Sequence, residues 1–323
     1  MLQEIWSPIS NCSSMKKYDI LTVFDTCVDL IVDLGNITPE FDQKEKLVRD
    51  FGLYLGGSAC IFAAQCAKLG MSTTGAGVLG KDAFGQLVKD SLSGCGVDVS
   101  YLRAEGSVKT SLGIALNRGS DRSILTYDQS IQAVTAEIVS DSLLKEARHL
   151  HIASYYLLGG LRPGVTELLR RAKKLGLTTS LDTNWDPQEQ WELPPETLEL
   201  IDVFLPNENE IRFLSGCEGL SEAAGYFLER IPLVVVKLGE KGAMAITKER
   251  RVAFPTRKVK VADTVGAGDS FDGGFLYGYL NGYGLEDCLK TGIICGSENV
   301  ARFGGCDGQA DLKRVNEVLE AEF

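Results

Sequence analysis

Histidine is scarce in this chain: His149 and His151 are the only two among 323 residues. A spacing of two puts both on one face of a strand, but no third ligand accompanies them, so strand packing is expected rather than a metal pair. Basic tracts are absent, and the formal net charge is −11. That argues against nucleic acid or an anionic membrane as the main partner, while a local nest can still hold a nucleotide. No apolar run reaches the ~18 residues of a membrane span. The nine cysteines are odd in number and contain no CxxC pair, which excludes a disulfide framework or zinc ribbon and suits reduced thiols in a cytoplasmic protein. The opening MLQEIWSPISNCSS lacks the basic start and apolar core of a signal peptide. Met15 is followed at once by KKYDILTVF, a strand opening. Residues 1–15 are therefore expected to be a disordered tail or start-site artefact, and 16–323 the folded part.

The apolar content, 44%, suffices for one large α/β domain with at most a small appendage. Apolar runs predict strands over 18–24, 28–34 and 47–55. The pair Gly56-Gly57 then opens a helix, SACIFAAQCAKLG, capped by Gly70. Two short strands, 110–117 and 122–127, flank Arg118-Gly119-Ser120 with hairpin spacing. From Thr135 the pattern alternates: helices near 135–147, 163–175, 195–200 and 221–230, strands over 149–158, 177–184, 202–207 and 232–239. Repeated βα units imply a doubly wound, mainly parallel sheet with helices on both faces.

The stretch that concentrates chemistry is Asp263–Phe271, DTVGAGDSF. A β-rich segment, 251–261, precedes it and a small-residue helix, 269–281, follows. Gly266, Ala267 and Gly268 thus form a tight turn feeding a helix N-terminus, where unpaired N–H groups and the helix dipole favour an anion, above all phosphate. A carboxylate there, Asp269, repels the anion unless it takes a proton from whatever attacks the phosphorus. The plainer alternative is an N-cap.

Three other matches are decoys. GAGVLG (75–80) fits GxGxxG, but its glycines fall inside a strand rather than after one. GAGVLGK fits a Walker A loop until its last position, where Asp82 replaces the Mg²⁺-binding hydroxyl. DTNWD (Asp182, Asn184, Asp186) begins like a calcium loop, but Pro187 and Leu193 occupy the positions of the required Gly and Glu. NENE (Asn207–Glu210) reads locally as a capping box, with Asn207 as N-cap and Glu210 three residues on.

DTVGAGDSFDGGF resembles the C-terminal signature of the ribokinase-like (PfkB) carbohydrate kinases, and the resemblance runs from about Tyr18 to the C-terminus. It implies that the strands within about 28–55 and 108–128 form a small β-sheet lid over a sugar. It implies that Asp29, Gly56 and Gly57 bind that sugar, that Asp269 is the catalytic base, and that Gly266, Ala267 and Gly268 stabilise the transferring phosphoryl group. Asn184, Lys237, Gly239, Thr264 and Gly268 would contact the nucleotide, with KLGEKGA (237–243) as its turn. Glu210 and Asn207, as the family's NxxE pair, would organise Mg²⁺. ATP and Mg²⁺ are the expected cofactors, a monovalent cation such as K⁺ a further candidate, and a homodimer through the lid an expected assembly.

The chain departs from the family pattern at three places. Ile61 replaces a sugar-binding asparagine, which suggests one hydroxyl contact fewer. Ser58 stands where members specific for phosphosugars carry lysine, which favours an unphosphorylated sugar or sugar acid. Ile293 lies near an asparagine expected in the adenine pocket. A nucleoside kinase on the same fold, a nicotinamide-dependent oxidoreductase and a non-catalytic sugar-binding regulator remain as alternatives at this stage.

Overall fold

A computed structural model describes residues 16–118 and 121–322. The expected tail, 1–15, and the Gly119-Ser120 turn lie outside the described residues. The strands are β1 Tyr18–Val23, β2 Cys27–Asp33, β3 Asp50–Gly56, β4 Thr73–Gly80, β5 Leu102–Glu105, β6 Ser111–Arg118, β7 Asp121–Tyr127, β8 Ala147–Ile152, β9 Thr178–Leu181, β10 Val203–Phe204, β11 Leu233–Lys237, β12 Ala243–Ile246 and β13 Arg251–Phe254. The helices are α1 Ser58–Lys68, α2 Ala83–Gly94, α3 Gln129–Gln132, α4 Asp141–Lys145, α5 Arg162–Lys174, α6 Pro195–Leu198, α7 Glu208–Ser215, α8 Leu220–Leu228, α9 Ala267–Leu280, α10 Leu285–Asn299 and α11 Leu312–Glu322.

The large sheet runs β13-β12-β11-β10-β9-β8-β1-β4-β5. Its strands from β11 to β5 pair in parallel, and β12 and β13 add an antiparallel edge. The sequence of β11, LVVVK, shows why this sheet sits between two helical layers. Val234 and Val236 enter one core with Leu150, Leu168 and Phe227. Leu233 and Val235 enter the other with Phe62, Phe275 and Leu289. A strand that is apolar on both faces belongs to a sheet covered on both sides.

The small sheet, β3-β2-β6-β7, is separate. Its register sets Leu53 opposite Leu30, Leu30 opposite Ile114 and Ile114 opposite Leu125, an apolar row across all four strands. The other face carries Asp29, with Tyr54 and Gly113 as its cross-strand partners.

Several predicted boundaries shift. The strand expected to reach residue 158 stops at Ile152, because Ser154 turns the chain (φ 52°) and its carbonyl accepts from the Leu157 and Leu158 N–H groups. The helix expected over 135–147 splits at Ser140, whose hydroxyl caps α4 on Leu143 N–H. The segment 251–261 is a strand only as far as Phe254, where Pro255 follows.

The GxGxxG and Walker-like matches are structural. Gly75 and Gly77 lie inside β4, where a Cβ would come within 2.5 Å and 2.8 Å of Phe24. Asp82 caps α2, accepting from Gly85 N–H at 2.8 Å. His149 and His151 share Ser180 Oγ, each at 2.7 Å, and His151 stacks on Phe62. Burial pushes His149 down to about 3, so it is a neutral packing group.

Candidate active site

The site forms where the C-terminal ends of β1, β9 and β11 meet the N-termini of α1 and α9. Gly266 caps α9 with φ 74°, a conformation that favours glycine, and a Cβ there would come within 2.9 Å of Ile61 and 2.8 Å of Gly305. Ala267 N–H reaches Thr264 O at 3.4 Å and Ser270 N–H reaches Gly266 O at 2.9 Å. Between them, Gly268 and Asp269 contribute first-turn N–H groups that have no acceptor within the helix.

The turn is braced from behind. Asp263 accepts from Val265 N–H and Gly304 N–H, and Asn299 donates to Val265 O at 2.7 Å. Ile61 is buried against Gly266 and Gly305. At the position of the expected sugar-binding asparagine, the chain therefore has an apolar support for the turn.

Asp269 is buried on the first turn of α9. Burial, then the charge of Asp182, pushes its carboxyl up to about 7, against the pull of Lys237. Four further groups, none of them among the site residues predicted from the sequence, complete its surroundings. Asp25, in the link from β1 to β2, accepts from the N–H groups of Ser58 and Ala59 at 2.9 and 3.0 Å and from Ser154 Oγ at 2.5 Å. It thereby caps α1 from another element, and burial raises it to about 6. Gly57 is needed for this approach: its φ is 86°, and a Cβ would lie 2.3 Å from Asp25 O. Ser154 also lies 3.3 Å from Asn184 Nδ2. Asp182 and Asp272 both pair with Lys237, at 2.8 and 3.1 Å. The only signal for these groups was a buried carboxylate in an otherwise apolar stretch, as in VFDTCV, which a single sequence shares with ordinary caps.

Asn184, with φ 55°, donates to Ser58 Oγ at 2.5 Å, tying the loop after β9 to the α1 N-terminus. The second acid of the rejected calcium loop, Asp186, accepts from the N–H groups of Gln188, Gln190 and Trp191, which shapes that loop. Asn207 and Glu210 form the predicted capping box, Asn207 N–H donating to Glu210 Oε2 at 2.8 Å. Glu210 is buried, and burial together with Asp182 raises it to about 7. Gly239 opens a short turn after β11 with φ 58° and free space where a side chain would stand. Thr264 is exposed at the mouth of the glycine turn.

On the small sheet, Asp29 lies over two glycines. A Cβ on Gly56 or on Gly113 would come within 2.5 Å of its carboxylate. Tyr54, its cross-strand partner, packs on Gly304, where a Cβ would be 2.4 Å from the ring. The small sheet thus carries an acidic side chain over the link to α1, and its aromatic neighbour touches the loop that braces the glycine turn.

The described residues contain no group of three or more His, Cys, Asp or Glu able to hold a metal by themselves. The donors present at the predicted pair, the Glu210 carboxylate and the Asn207 side-chain oxygen, are hard oxygens. They suit an Mg²⁺ that takes most of its ligands from phosphate and water.

Residues 20–311 match the family described as pfkB family carbohydrate kinase. The chain is 26% identical to a 5-dehydro-2-deoxygluconokinase of Halalkalibacterium halodurans, over 96% of this chain and 97% of that protein. Its fold matches Arabidopsis thaliana ribokinase, solved with ribose and ATP, at a TM-score of 0.83 and 25% identity, covering 95% and 99% of the two chains. It also matches an E. coli protein described as a ribokinase II, solved with ATP and Mg²⁺, at a TM-score of 0.81 and 25% identity, covering 94% and 100%.

Proposed function

The chain belongs to the pfkB family of carbohydrate kinases, and from that premise we propose that it transfers the γ-phosphate of ATP to a hydroxyl of an unphosphorylated sugar or sugar acid. The observation that carries the reading is Asp269, buried at about neutral pKa beside a helix N-terminus whose Gly268 and Asp269 N–H groups lack a helical acceptor. Asp269 takes the proton of the attacking hydroxyl as its oxygen bonds to phosphorus and the bond to the ADP oxygen breaks. Gly266, Ala267 and Gly268 line the turn that stabilises the charge on the moving phosphoryl group. Asn184, Gly239 and Thr264 stand on the nucleotide side.

Glu210, oriented by Asn207, would hold Mg²⁺. When bound, the ion neutralises phosphate charge and orients the transferring group.

Asp29 grips acceptor hydroxyls, and Gly56 and Gly57 serve the acceptor site by leaving room for the Asp29 and Asp25 carboxylates beside the α1 N-terminus. The small sheet acts as a lid that keeps water from the phosphoryl donor. Its row Leu53–Leu30–Ile114–Leu125 is the face for a second copy, since Leu53 and Leu125 are 43% and 58% exposed. The Halalkalibacterium relative is named a 5-dehydro-2-deoxygluconokinase, which supports 5-dehydro-2-deoxygluconate as the first acceptor to try. Ser58, engaged by Asn184, leaves no lysine at that position for a substrate phosphate.

The test is Mg²⁺-dependent ADP release from ATP against sugars, sugar acids including 5-dehydro-2-deoxygluconate, polyols, phosphosugars and nucleosides. One responding sugar or sugar acid, silent in Asp269→Asn, supports the reading. A response confined to nucleosides replaces it with a nucleoside kinase, and failure to bind ATP overturns it.

A further inference from the structure

Lys237 ends β11, where the family resemblance implies a nucleotide contact, yet its ammonium is turned inward. The side chain is 12% exposed, and its two acidic partners, Asp182 and Asp272, are 3% and 1% exposed. The three groups come from three elements: Lys237 from β11, Asp182 from just past β9, and Asp272 from α9. The strand between β9 and β11 makes this crossing possible. β10 is two residues long, and the chain leaves it at Pro206, whose carbonyl accepts the Lys237 N–H at 2.9 Å. Asp272 sits three residues after Asp269, one turn along the same side of the helix. Gly268 completes the arrangement: a Cβ there would lie 3.5 Å from Lys237 Nζ, so the ammonium is directly beneath the catalytic turn.

We infer that Lys237 is a positioning residue for phosphoryl transfer. Through Asp272 it pins the first turns of α9 to the ends of β9 and β11, and so sets where Asp269 and the Gly268 N–H point. The inference rests on the kinase reading. A buried ion pair is weak as a stabiliser, because desolvation of both charges offsets their attraction, and apolar residues of the same volume often hold an interface as well. A buried triad spanning two strands and the catalytic helix is better explained by orientation. Bridging groups on separate elements are what fix a helix in rotation and translation, and small misplacement of a reacting group is costly in rate. Electrostatics agrees: burial works against the ammonium, but Asp182 and Asp272 outweigh it and hold Lys237 above the usual lysine range.

The experiment compares Lys237→Met, Lys237→Arg and Asp272→Asn with the parent, using steady-state kinetics on the responding acceptor and calorimetric affinity for Mg·ATP. Lys237→Met is expected to lower kcat about 100-fold while nucleotide affinity changes less than about threefold, since an aiming role acts on the transition state and not on ground-state binding. Lys237→Arg, which keeps the charge and a donor, recovers about tenfold of that loss. Asp272→Asn, which keeps an acceptor, costs about tenfold in kcat, again at unchanged nucleotide affinity. A tenfold or greater loss of Mg·ATP affinity in Lys237→Met would make Lys237 a nucleotide ligand and overturn the inference. Parental kcat with only a lower Tm would make the triad purely structural and overturn it equally. If Lys237→Met does not fold, Asp272→Asn carries the same split between kcat and affinity. A parent that binds Mg·ATP but phosphorylates no acceptor defeats the kinase reading instead. In that case the affinity arm alone decides whether Lys237 is a ligand.

Discussion

The two sheets of this molecule are built on opposite plans. In the large sheet, β11 is apolar on both faces, its valines divided between two cores, and the candidate-site carboxylates Asp25 and Asp182 lie just past the ends of β1 and β9. In the small sheet, one face holds Asp29 over two glycines while the other leaves Phe51, Leu53, Leu125 and Tyr127 exposed. The large sheet is sealed and can keep a carboxylate such as Asp269 buried. The small one touches the site through a few contacts, Tyr54 on Gly304 among them, and keeps an apolar face for something else. On the proposed reading, phosphoryl-transfer chemistry belongs to the sealed sheet and acceptor recognition to the small one.

The largest effect that would break this division is at Asp269. Asp269→Asn is expected to lower kcat by ~10²–10⁴ while leaving the fold intact, as removal of a general base does. The same variant probes the cost of burial. Asp269 ionises at about 7 in the fold, against roughly 4 in an unfolded chain. Between those values the folded protein binds a proton that the unfolded chain does not. The contribution of this group to stability therefore falls as pH rises from about 4 to about 7 and stays lost above. Asp269→Asn should then raise Tm by about 2–4 °C at pH 8 and by almost nothing at pH 4. A variant with a lower Tm at pH 8 would contradict the buried-base picture. In the parent, kcat/KM should climb with pH up to about 7 and then level, as the base form fills.

The next effect sharpens the comparison on the small sheet. In Gly113→Ala the new Cβ would fall 2.5 Å from the Asp29 carboxylate. It should raise KM for the acceptor about tenfold with nucleotide affinity unchanged. Loss of nucleotide affinity instead would mean that the two sheets are not divided in function. The smallest effect is on the exposed face. Leu53→Glu with Leu125→Glu is expected to change kcat less than about twofold at saturating acceptor, while sedimentation velocity shows loss of a dimer, because charges placed on an apolar contact oppose association. A parent that is monomeric throughout would leave that face without the proposed second copy.

Parts of this site were legible because their signals are local. DTVGAGDSF reads as a turn into a helix from its own glycines, and NENE reads as a capping box from residues three apart. The GxGxxG match could be set aside because the glycines fall within an apolar strand, where the fold packs them on Phe24. Asp25, Asp182, Asp272 and Ser154 were not legible. Each draws its meaning from a partner far along the chain: Ser154 is 129 residues from Asp25, and Asp182 is 55 from Lys237.

By itself the sequence determined the periodicities, the alternation of strand and helix, the glycine turn and the capping residues, because these depend on neighbours within a few positions. Tertiary structure alone decided which carboxylates share a buried space, which one caps a helix from another element, and that Lys237 turns inward beneath the glycine turn. The physical reason is that burial and charge act through space. A carboxylate's proton affinity is set by the water it loses and the charges beside it, and chain order records neither.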